Sequence, residues 1–557
     1  MRYTCIERIT TIKTRTHGRL GGRLSSTKAT MMLRLAAAGV LVLSVYASSD
    51  QKINWKNVTG TSSVTFPTDV GVAGDRATGK TPLNAEYDPL DTSRFQENYG
   101  IEMRWLPKDA EKNKASPDDI FTNLGPYTPW RPAKGLFPET EAYRSAPKEC
   151  ELKQVQLLYR HGARYPTDGM NEGLPKLVHT IANGVKNGSI KATGELDFMN
   201  HWNYTLGEAI LVHQGAQELF DAGVKDYYSY GKLLDNIKQK PVIRTTSSSR
   251  MLDSARYWTL GFFGWDATDK MNMEVILEAD HQNNTLEPKY ACPNGKAFKF
   301  GSEMRETWQK VYLKDALNRF QRNLHGFNLT ISHMADLISL CPYETVGYGY
   351  SHFCNLFTKE EWEGYEYGND LKFQGNNGFM NPEGKAMGLG WVQEFFRRAT
   401  KDSFKGPAAE KNMTLDNNST YFPLDQALYA DFSHDTVIMS ILTAFNFTQL
   451  NDHLDPTKPD PSRKFRVSQI VPFGARVAFE IWNCQKTDFL RVKLNEAVIP
   501  LDQDQGCQKR KDGLCKLDDF VNHLQDRVIQ EANFDLTCFG KNGTDFNATK
   551  PVDQGHF

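Results

Sequence analysis

An apolar run that ends abruptly in cationic side chains places the strongest constraint on the fold of this chain. The segment VQLLYRHGARYPT, residues 155–167, begins as a short β-prone stretch and ends at Arg160, His161 and Arg164, with Gly162 between them. Such a run is typical of a buried core strand. Open α/β sheets bind ligands beyond the carboxyl ends of their strands, so we expect these side chains to line a crevice there.

The residue types at this edge suit a tetrahedral oxyanion. Arginine matches such an anion with bidentate hydrogen bonds, and Gly162 lets the backbone approach it closely. Nearby arginine charges lower the pKa of a histidine, which keeps the imidazole neutral and nucleophilic in mild acid. The segment therefore predicts a phosphate or sulfate site with His161 as nucleophile. Surface salt bridges around a merely hydrogen-bonded histidine are the alternative interpretation.

A second segment, YADFSHDTVIMSILTAF at residues 429–445, has its polar residues between an apolar run and a predicted helix. Here His434 and Asp435 would meet a phosphate together with the helix N-terminal amides. Asp435, held protonated near a leaving oxygen, could act as a general acid. Ser433, Asp435 or Thr436 could equally be an ordinary helix N-cap, and the two roles are compatible.

The order of the other elements predicts the fold class. Apolar spacings of three and four indicate helices at residues 174–185, 208–224, 251–264, 313–324, 385–400 and 516–528. Residues 475–484 and 489–501 indicate neighbouring antiparallel strands, residues 330–375 a loop-rich cap, and residues 125–138 an arm on the surface. We therefore expect an α/β fold, a central mixed sheet flanked by helices, with a mostly helical inserted subdomain.

The front of the chain is strongly basic. Residues 1–47 carry eight Lys and Arg against the single acid Glu7, so the remainder has a formal charge of about −8. Arg34 precedes a short apolar core, LAAAGVLVLSVYA, which predicts a secretory signal peptide cleaved near Ala47. A start at Met31 or Met32 and a genuinely long leader remain alternatives, and a mitochondrial transit peptide is the rival interpretation.

Composition and cysteine usage narrow the function classes. An acidic body argues against a general nucleic-acid binder, and no apolar stretch reaches the roughly 18 residues of a stable membrane span. Beyond Cys5 there are eight cysteines with no CxxC pair, which indicates disulfides and no zinc site. Spacing favours two local bridges, Cys341–Cys354 and Cys507–Cys515. Eleven Asn-x-Ser/Thr sequons fit a secreted glycoprotein with N-linked glycans; they start at Asn57, Asn187, Asn203, Asn283, Asn328, Asn412, Asn417, Asn418, Asn446, Asn542 and Asn547.

The segment RHGARYP at residues 160–166, followed far downstream by His434-Asp435, closely resembles the histidine acid phosphatases, the branch of the histidine phosphatase superfamily that contains fungal phytases. The resemblance extends over roughly residues 120–540 and includes GLGWVQEFFRRAT and VPFGARVAFEIWNCQ. It implies a phosphoglycerate-mutase-like fold. The expected domains are a leader (1–47), a polar extension (48–120) and a phosphatase domain (121–557), whose α/β body covers about 121–180, 240–265 and 376–557 and whose helical insertion covers about 181–239 and 266–375.

The resemblance also implies a role for each matching residue. His161 matches the nucleophile that forms a phosphohistidine, and Asp435 matches the proton donor to the leaving alcohol. Arg160, Arg164 and His434 match phosphate-binding residues. For the third arginine of the family the chain offers Arg250, with Arg244 as the less favoured candidate. Neither a metal nor another cofactor is implied, and the implied disulfides are Cys150–Cys484, Cys292–Cys538, Cys341–Cys354 and Cys507–Cys515.

These observations predict a secreted or extracellular acid phosphatase, with cell-wall association left open, that hydrolyses small phosphate monoesters and can include phytate. A dedicated 3-phytase is the alternative. Fungal phytases of this family have a lysine-rich stretch after the RHG motif, whereas DGMNEGLPKL, residues 168–177, holds only Lys176, which favours a broader specificity. A non-catalytic secreted glycoprotein that binds a phosphorylated glycan is a more remote alternative. The absence of a GxSxG elbow disfavours a serine esterase, and the leader and sequons disfavour a cytosolic mutase.

Overall fold

The computed structural model describes residues 117–542, except residues 146, 148, 168–173, 236, 281, 297–298 and 382. The leader with its cleavage site near Ala47, the extension up to residue 116, most of the lysine-poor segment and the sequons at Asn57 and Asn547 lie outside the described residues.

One central sheet organises the described chain. The strands of the described chain are β1 (Cys150–Arg160), β2 (Lys191–Ala192), β3 (Val242–Thr246), β4 (Asn272–Ile276), β5 (Leu324–His325), β6 (Leu428–Ser433), β7 (Arg476–Cys484), β8 (Thr487–Leu494), β9 (Ala497–Val498) and β10 (Cys515–Lys516), of which β2 and β5 form a separate pair. The strand order of the central sheet is β10-β8-β7-β1-β6-β3-β4, with β9 paired to β8. Strands β1, β6, β3 and β4 run parallel, whereas β7, β8 and β10 are antiparallel to their neighbours, which confirms the predicted mixed sheet.

Helices cover both faces of this sheet and build a further part beside it. They are α1 (Pro117–Phe121), α2 (Leu174–Lys186), α3 (His213–Tyr230), α4 (Ser249–Phe263), α5 (Ala267–Lys270), α6 (Phe300–Tyr312), α7 (Lys314–Asn323), α8 (Ile331–Tyr348), α9 (Lys359–Asn376), α10 (Leu389–Thr400), α11 (Met413–Asp416), α12 (Asp435–Ala444), α13 (Val467–Ile470), α14 (Leu517–Ala532) and α15 (Phe534–Phe539).

Alternation along β1 shows why both faces are covered. Successive strand residues point to opposite faces, and Tyr159 packs with Trp258 of α4 in one apolar cluster while Leu158 lies in another that includes Trp391 of α10. Helices α3 and α4 cover the first face; α10, α12 and α14 contribute to the second. A third cluster, which includes Leu177 of α2 and Trp362 of α9, forms the core of the mostly helical part.

Three expectations about individual segments are wrong. Residues 330–375 form α8 and α9, each of 18 residues, and not a loop-rich cap, because Thr330 and Thr358 each cap a helix with a reciprocal capping box. Residues 125–127 of the expected surface arm are buried. The helix expected at 208–224 begins at His213, because the preceding residues pair with the loop after β1 through the bridge between Leu211 and Arg164.

The boundaries of the helical insertion stay a prediction. Within the residues assigned to it, β4 is the edge strand of the central sheet and α3 packs on α4 against that sheet. Residues 266–375 therefore also contribute to the body.

All four disulfides implied by the resemblance are present. The pairs Cys150–Cys484, Cys292–Cys538, Cys341–Cys354 and Cys507–Cys515 have S–S distances of 2.05, 2.04, 2.16 and 2.06 Å. Among the described residues, no helix has the length and apolar character that crossing a bilayer requires.

Three of the sequons lie in the protein interior. Asn283, Asn412 and Asn446 expose 1%, 5% and 6% of their surface, and the Asn283 amide donates a hydrogen bond to the carbonyl oxygen of Lys411 at 3.0 Å. The folded chain therefore does not present these three asparagines to solvent as glycan acceptors.

Candidate active site

The two polar segments meet at the carboxyl ends of neighbouring parallel strands. Strands β1 and β6 are adjacent, and Arg160 lies opposite Ser433 in their register. The next residues along each strand, His161 and His434, therefore leave the sheet side by side, and their ring centroids are 5.9 Å apart. The two segments therefore meet at the sheet edge where a ligand crevice is expected.

The loop after β1 depends on close backbone contact with the start of α3. A Cβ on Gly162 would lie 2.3 Å from the carbonyl oxygen of Gly215, so only glycine fits without a backbone shift. The Gly162 N–H donates to Ser254 Oγ at 3.1 Å, and the Ala163 N–H donates to Glu218 Oε2 at 2.9 Å. Helices α3 and α4 thus fix the backbone on which His161 and Arg164 are mounted.

The orientation of the His161 ring makes one nitrogen available for attack. Its Nδ1 lies 2.8 Å from the carbonyl oxygen of Gly162, which can only accept a hydrogen bond. Nδ1 therefore carries the proton of the neutral ring, and Nε2 keeps its lone pair. Burial lowers the pKa of His161 well below its usual value, and the charges of Arg160, Arg164 and Arg250 lower it further.

Arg160 is anchored on several sides and faces Asp435. Its guanidinium donates to the carbonyl oxygens of Pro126 and Val471, the latter at 2.8 Å, and lies 4.7 Å from the centroid of the Phe473 ring. Its Nη2 is 2.6 Å from Asp435 Oδ2. Burial lowers the pKa of Arg160 to about 10, against the opposing effect of Asp435, so the residue remains cationic in mild acid.

The structure distinguishes the two candidates for the third arginine. Arg250 is in the first turn of α4, and its Nη2 lies 3.4 Å from His434 Nδ1. Arg244, on β3, is buried beneath the sheet edge, where its guanidinium donates to both oxygens of Asp431 and to Glu394. The less favoured candidate Arg244 is therefore wrong as a site residue, because these carboxylates occupy its donors.

His434 is held by carboxylates that no motif indicated. Its Nε2 lies 2.8 Å from Glu278 Oε1 and 3.7 Å from Glu287 Oε2. The Glu278 N–H donates to Ser247 Oγ at 2.9 Å. Burial raises the pKa of Glu278, but the charges of His434 and Arg250 outweigh burial and lower it to about 2. Glu278 is therefore ionised in mild acid and orients His434.

Asp435 is the first residue of α12, and the Thr436 N–H donates to its Oδ1 at 2.8 Å. Burial raises the pKa of Asp435, but Arg160, Arg164 and His434 outweigh burial and lower it. In the free site Asp435 is consequently ionised, whereas the sequence-based mechanism needs it protonated. Protonation then has to accompany the arrival of a negatively charged substrate.

Lys372, a further basic residue close to the site, lies on α9, which the sequence analysis predicted to be part of a loop-rich cap. Lys372 of α9 interacts electrostatically with Asp435 and Arg164. Burial, reinforced by the charges of Arg305 and Arg164 and opposed by that of Asp435, lowers the pKa of Lys372 to about 7. Among the described residues, no group of three or more His, Cys, Asp or Glu is arranged to hold a metal ion.

Residues 151–495 match the histidine phosphatase superfamily, branch 2. This chain belongs to that superfamily. Similar proteins include Phytase A of Aspergillus oryzae, 32% identical over 72% of this chain and 87% of that protein, and Phytase A of Aspergillus fumigatus, with the same identity and coverage. The chain is accordingly a phosphoric monoester hydrolase of this superfamily.

The fold of this histidine phosphatase also matches solved structures. The phytase from D. castellii superimposes with a TM-score of 0.62 at 22% identity and covers 81% of this chain and 97% of its own. A multiple inositol polyphosphate phosphatase from Bifidobacterium longum superimposes with a TM-score of 0.54 at 12% identity over 73% of this chain and 98% of its own.

Proposed function

We propose that this histidine phosphatase is a secreted acid phosphatase that hydrolyses phosphate monoesters through a phosphohistidine at His161, with phytate among its substrates. The observation that carries the proposal is the buried His161, with Nε2 free to attack, beside Arg160, Arg164, Arg250 and Asp435. Four disulfides support an oxidising compartment, since such bonds are rare in the cytosol.

In the first half-reaction, the lone pair of His161 Nε2 attacks phosphorus while the bond from phosphorus to the ester oxygen breaks. Asp435 gives its proton to that oxygen, and the alcohol leaves. In the second half-reaction, water attacks the phosphohistidine, Asp435 takes a proton from the water, and phosphate leaves with the N–P bond broken. The arginines hold the equatorial oxygens throughout and stabilise the charge that develops on them.

Substrate binding favours protonation of Asp435, which is ionised in the free site. A phosphate dianion against Arg160 and Arg164 offsets the positive charge that lowers the pKa of Asp435, and it adds a like charge next to the carboxylate. Both effects raise the pKa of Asp435. A substrate monoanion in mild acid can also bring the proton with it. Activity should therefore peak on the acid side of neutrality.

We propose that this enzyme accepts simple phosphate esters as well as phytate. The sequence after the RHG motif carries one lysine, Lys176, in ten residues. Lys372 and Arg305 supply positive charge from other elements, so phytate can be accepted without that lysine-rich stretch. A dedicated phytase, also suggested by the names of the Aspergillus relatives, would require a strong preference for the hexakisphosphate over simple esters.

The test compares the native protein with H161A on p-nitrophenyl phosphate and on phytate from about pH 2 to 8, a range that brackets the carboxylate and histidine reference pKa values. We expect turnover of both substrates in mild acid, its loss in H161A, and acid-labile radioactive phosphate bound only to the native chain after a rapid quench. Binding of phosphate esters without turnover would support the non-catalytic glycoprotein instead.

A further inference from the structure

One basic cavity has none of the residues described around His161 in its described lining. It has a volume of about 490 Å³ and lies between the segment 122–134 and helix α13. Its described lining contains the cations Arg131, Lys134 and Arg466, polar residues that include Ser468 and Gln469, and neither Asp nor Glu. The cavity therefore presents donors and positive charge without a carboxylate.

Two of these cations have no carboxylate partner among the described residues. Lys134 and Arg466 form no ion pair within 4.0 Å with a carboxylate of the described chain. The Arg466 guanidinium donates to the carbonyl oxygen of Pro461 at 3.0 Å, and that of Arg131 to the carbonyl oxygen of Thr122 at 3.3 Å. A concave surface of one charge sign concentrates counter-ions, so this cavity attracts anions.

The walls of the cavity are held in place before any ligand arrives. The Ala133 N–H donates to the carbonyl oxygen of Asn495 at 2.8 Å. The Asn495 side-chain amide donates to the carbonyl oxygens of Gln469 at 2.7 Å and Ile470 at 2.9 Å. Asn495 is fully buried. One residue thus ties the two walls together, which reduces the ordering cost of binding.

We propose that this cavity binds a small molecule that carries several phosphate groups, at a site distinct from His161. Three cations can neutralise the charge of several phosphate groups, and an arginine can bind a phosphate group with two parallel hydrogen bonds. The volume is in the range of pockets for small molecules, about 300–1,000 Å³, and a single phosphate ion would fill little of it. Binding here requires no hydrolysis, so the inference does not depend on the proposed function.

Calorimetric titration with inositol hexasulfate, a polyanion that a phosphatase does not hydrolyse, tests the proposal. The proteins are the native chain, K134Q/R466Q, and a control, K238Q/K314Q, which removes the same charge from exposed lysines elsewhere. We expect two ligands per chain for the native protein and the control. In K134Q/R466Q the second site should be lost or weakened by at least roughly tenfold, about 1.4 kcal/mol, while turnover of p-nitrophenyl phosphate shows that this variant is folded.

Binding that K134Q/R466Q leaves unchanged, or equal weakening in the control, would overturn the proposal. A single ligand per chain that K134Q/R466Q loses would still support the cavity as a site, and would count only against binding of the polyanion at His161. Inorganic phosphate is titrated in parallel. If it fills the second site with the same affinity as inositol hexasulfate, the cavity is a site for free phosphate and the requirement for several charged groups is wrong. Should K134Q/R466Q not fold, native crystals soaked in inositol hexasulfate decide: density in the cavity supports the proposal, and its absence contradicts it.

Discussion

His161 and Asp435 depend on the same positive charges for opposite purposes. Arg160 and Arg164 lower the pKa of both residues. For His161, the proposed nucleophile, this shift is useful because it keeps the imidazole neutral. For Asp435, the proposed acid, the shift is unfavourable until a substrate offsets the arginine charge. The proposed mechanism therefore requires that the carboxyl is protonated in the complex and not in the free enzyme. The ion pair between Arg160 and Asp435 is therefore expected to weaken when phosphate binds.

Replacement of the acid should affect substrates according to their leaving group. An alkyl alcohol must be protonated as it departs, whereas p-nitrophenolate is a stable anion. We expect D435N to lower kcat on glycerol 2-phosphate by about 10²–10⁴-fold and on p-nitrophenyl phosphate by much less. Steady-state kinetics of both substrates at mildly acidic pH measure the difference.

The exposed Asp425 provides the control, and D425N should leave both rates unchanged. A loss in D435N that is equal for the two substrates would contradict the acid role, since it would mean that Asp435 acts only by holding Arg160 in place.

The sequence predicts site residues that are contiguous in a motif and misses those that only the fold brings close. His161 and Arg164 lie within five residues of one another, and a strand preceding them is enough to place them. Glu278 follows β4, and its contact with His434 depends on the strand order β6-β3-β4, which no local pattern contains. Arg244 and Arg250 lie in one segment of the sequence. Arg244 lies within β3 and is buried among carboxylates, whereas Arg250 lies beyond the end of β3 and contacts His434.

At the level of elements, the close contact between the loop after β1 and α3 positions His161, the proposed nucleophile. A Cβ on Gly215 would lie 2.2 Å from the carbonyl oxygen of Ala163, so G215A forces the loop backbone to move. Because misplacement by about 1 Å can cost about 10²-fold, we expect kcat/KM to fall by roughly that factor. The matched control is G368A on α9, where the nearest atom would be 3.4 Å away in the Arg305 side chain.

Thermal unfolding of both variants separates the two possible effects. If G215A retains native turnover, or loses turnover only in proportion to a loss of folded protein, then the close contact between loop and helix does not set the position of His161.

Helices with a single apolar face could be predicted from the spacing of their apolar residues, whereas helices buried on several sides could not. The spacing in residues 174–185 identified α2 closely, because one of its faces is apolar. Helix α9 carries glycine and aromatic residues on several faces, and it buries even Glu366 and Asp370. Its apolar residues therefore form no single stripe, and its composition suggested a loop where tertiary contacts and the capping Thr358 produce a helix.

For the whole molecule, buried carboxyl groups make stability depend on pH. Burial raises the pKa of Glu274 to about 8 and that of Glu410 to about 8. Burial also raises the pKa of Glu218 to about 7 and that of Glu344 to about 7. Such a group binds more protons in the folded chain than in the unfolded chain, so its contribution is complete below the unfolded pKa and is lost as pH rises through the folded pKa. These four groups should therefore lower the unfolding free energy between about pH 5 and pH 8, whereas His161 and Lys372, whose pKa values are lowered, act in the opposite direction.

Glu274 offers the sharpest measurement of this effect. It lies at the buried side of β4, and burial, its largest influence, is opposed by Arg244 and reinforced by Glu394. E274Q removes its titration, so the decrease in unfolding free energy between pH 5 and 8 should become shallower by up to about 1.4 kcal/mol per pH unit. Chemical denaturation at several pH values measures that slope. E303Q, at an exposed position on α6, is the control and should keep the native slope. A native slope in E274Q would mean that Glu274 is ionised throughout this range and that water or the neighbouring arginines compensate its burial.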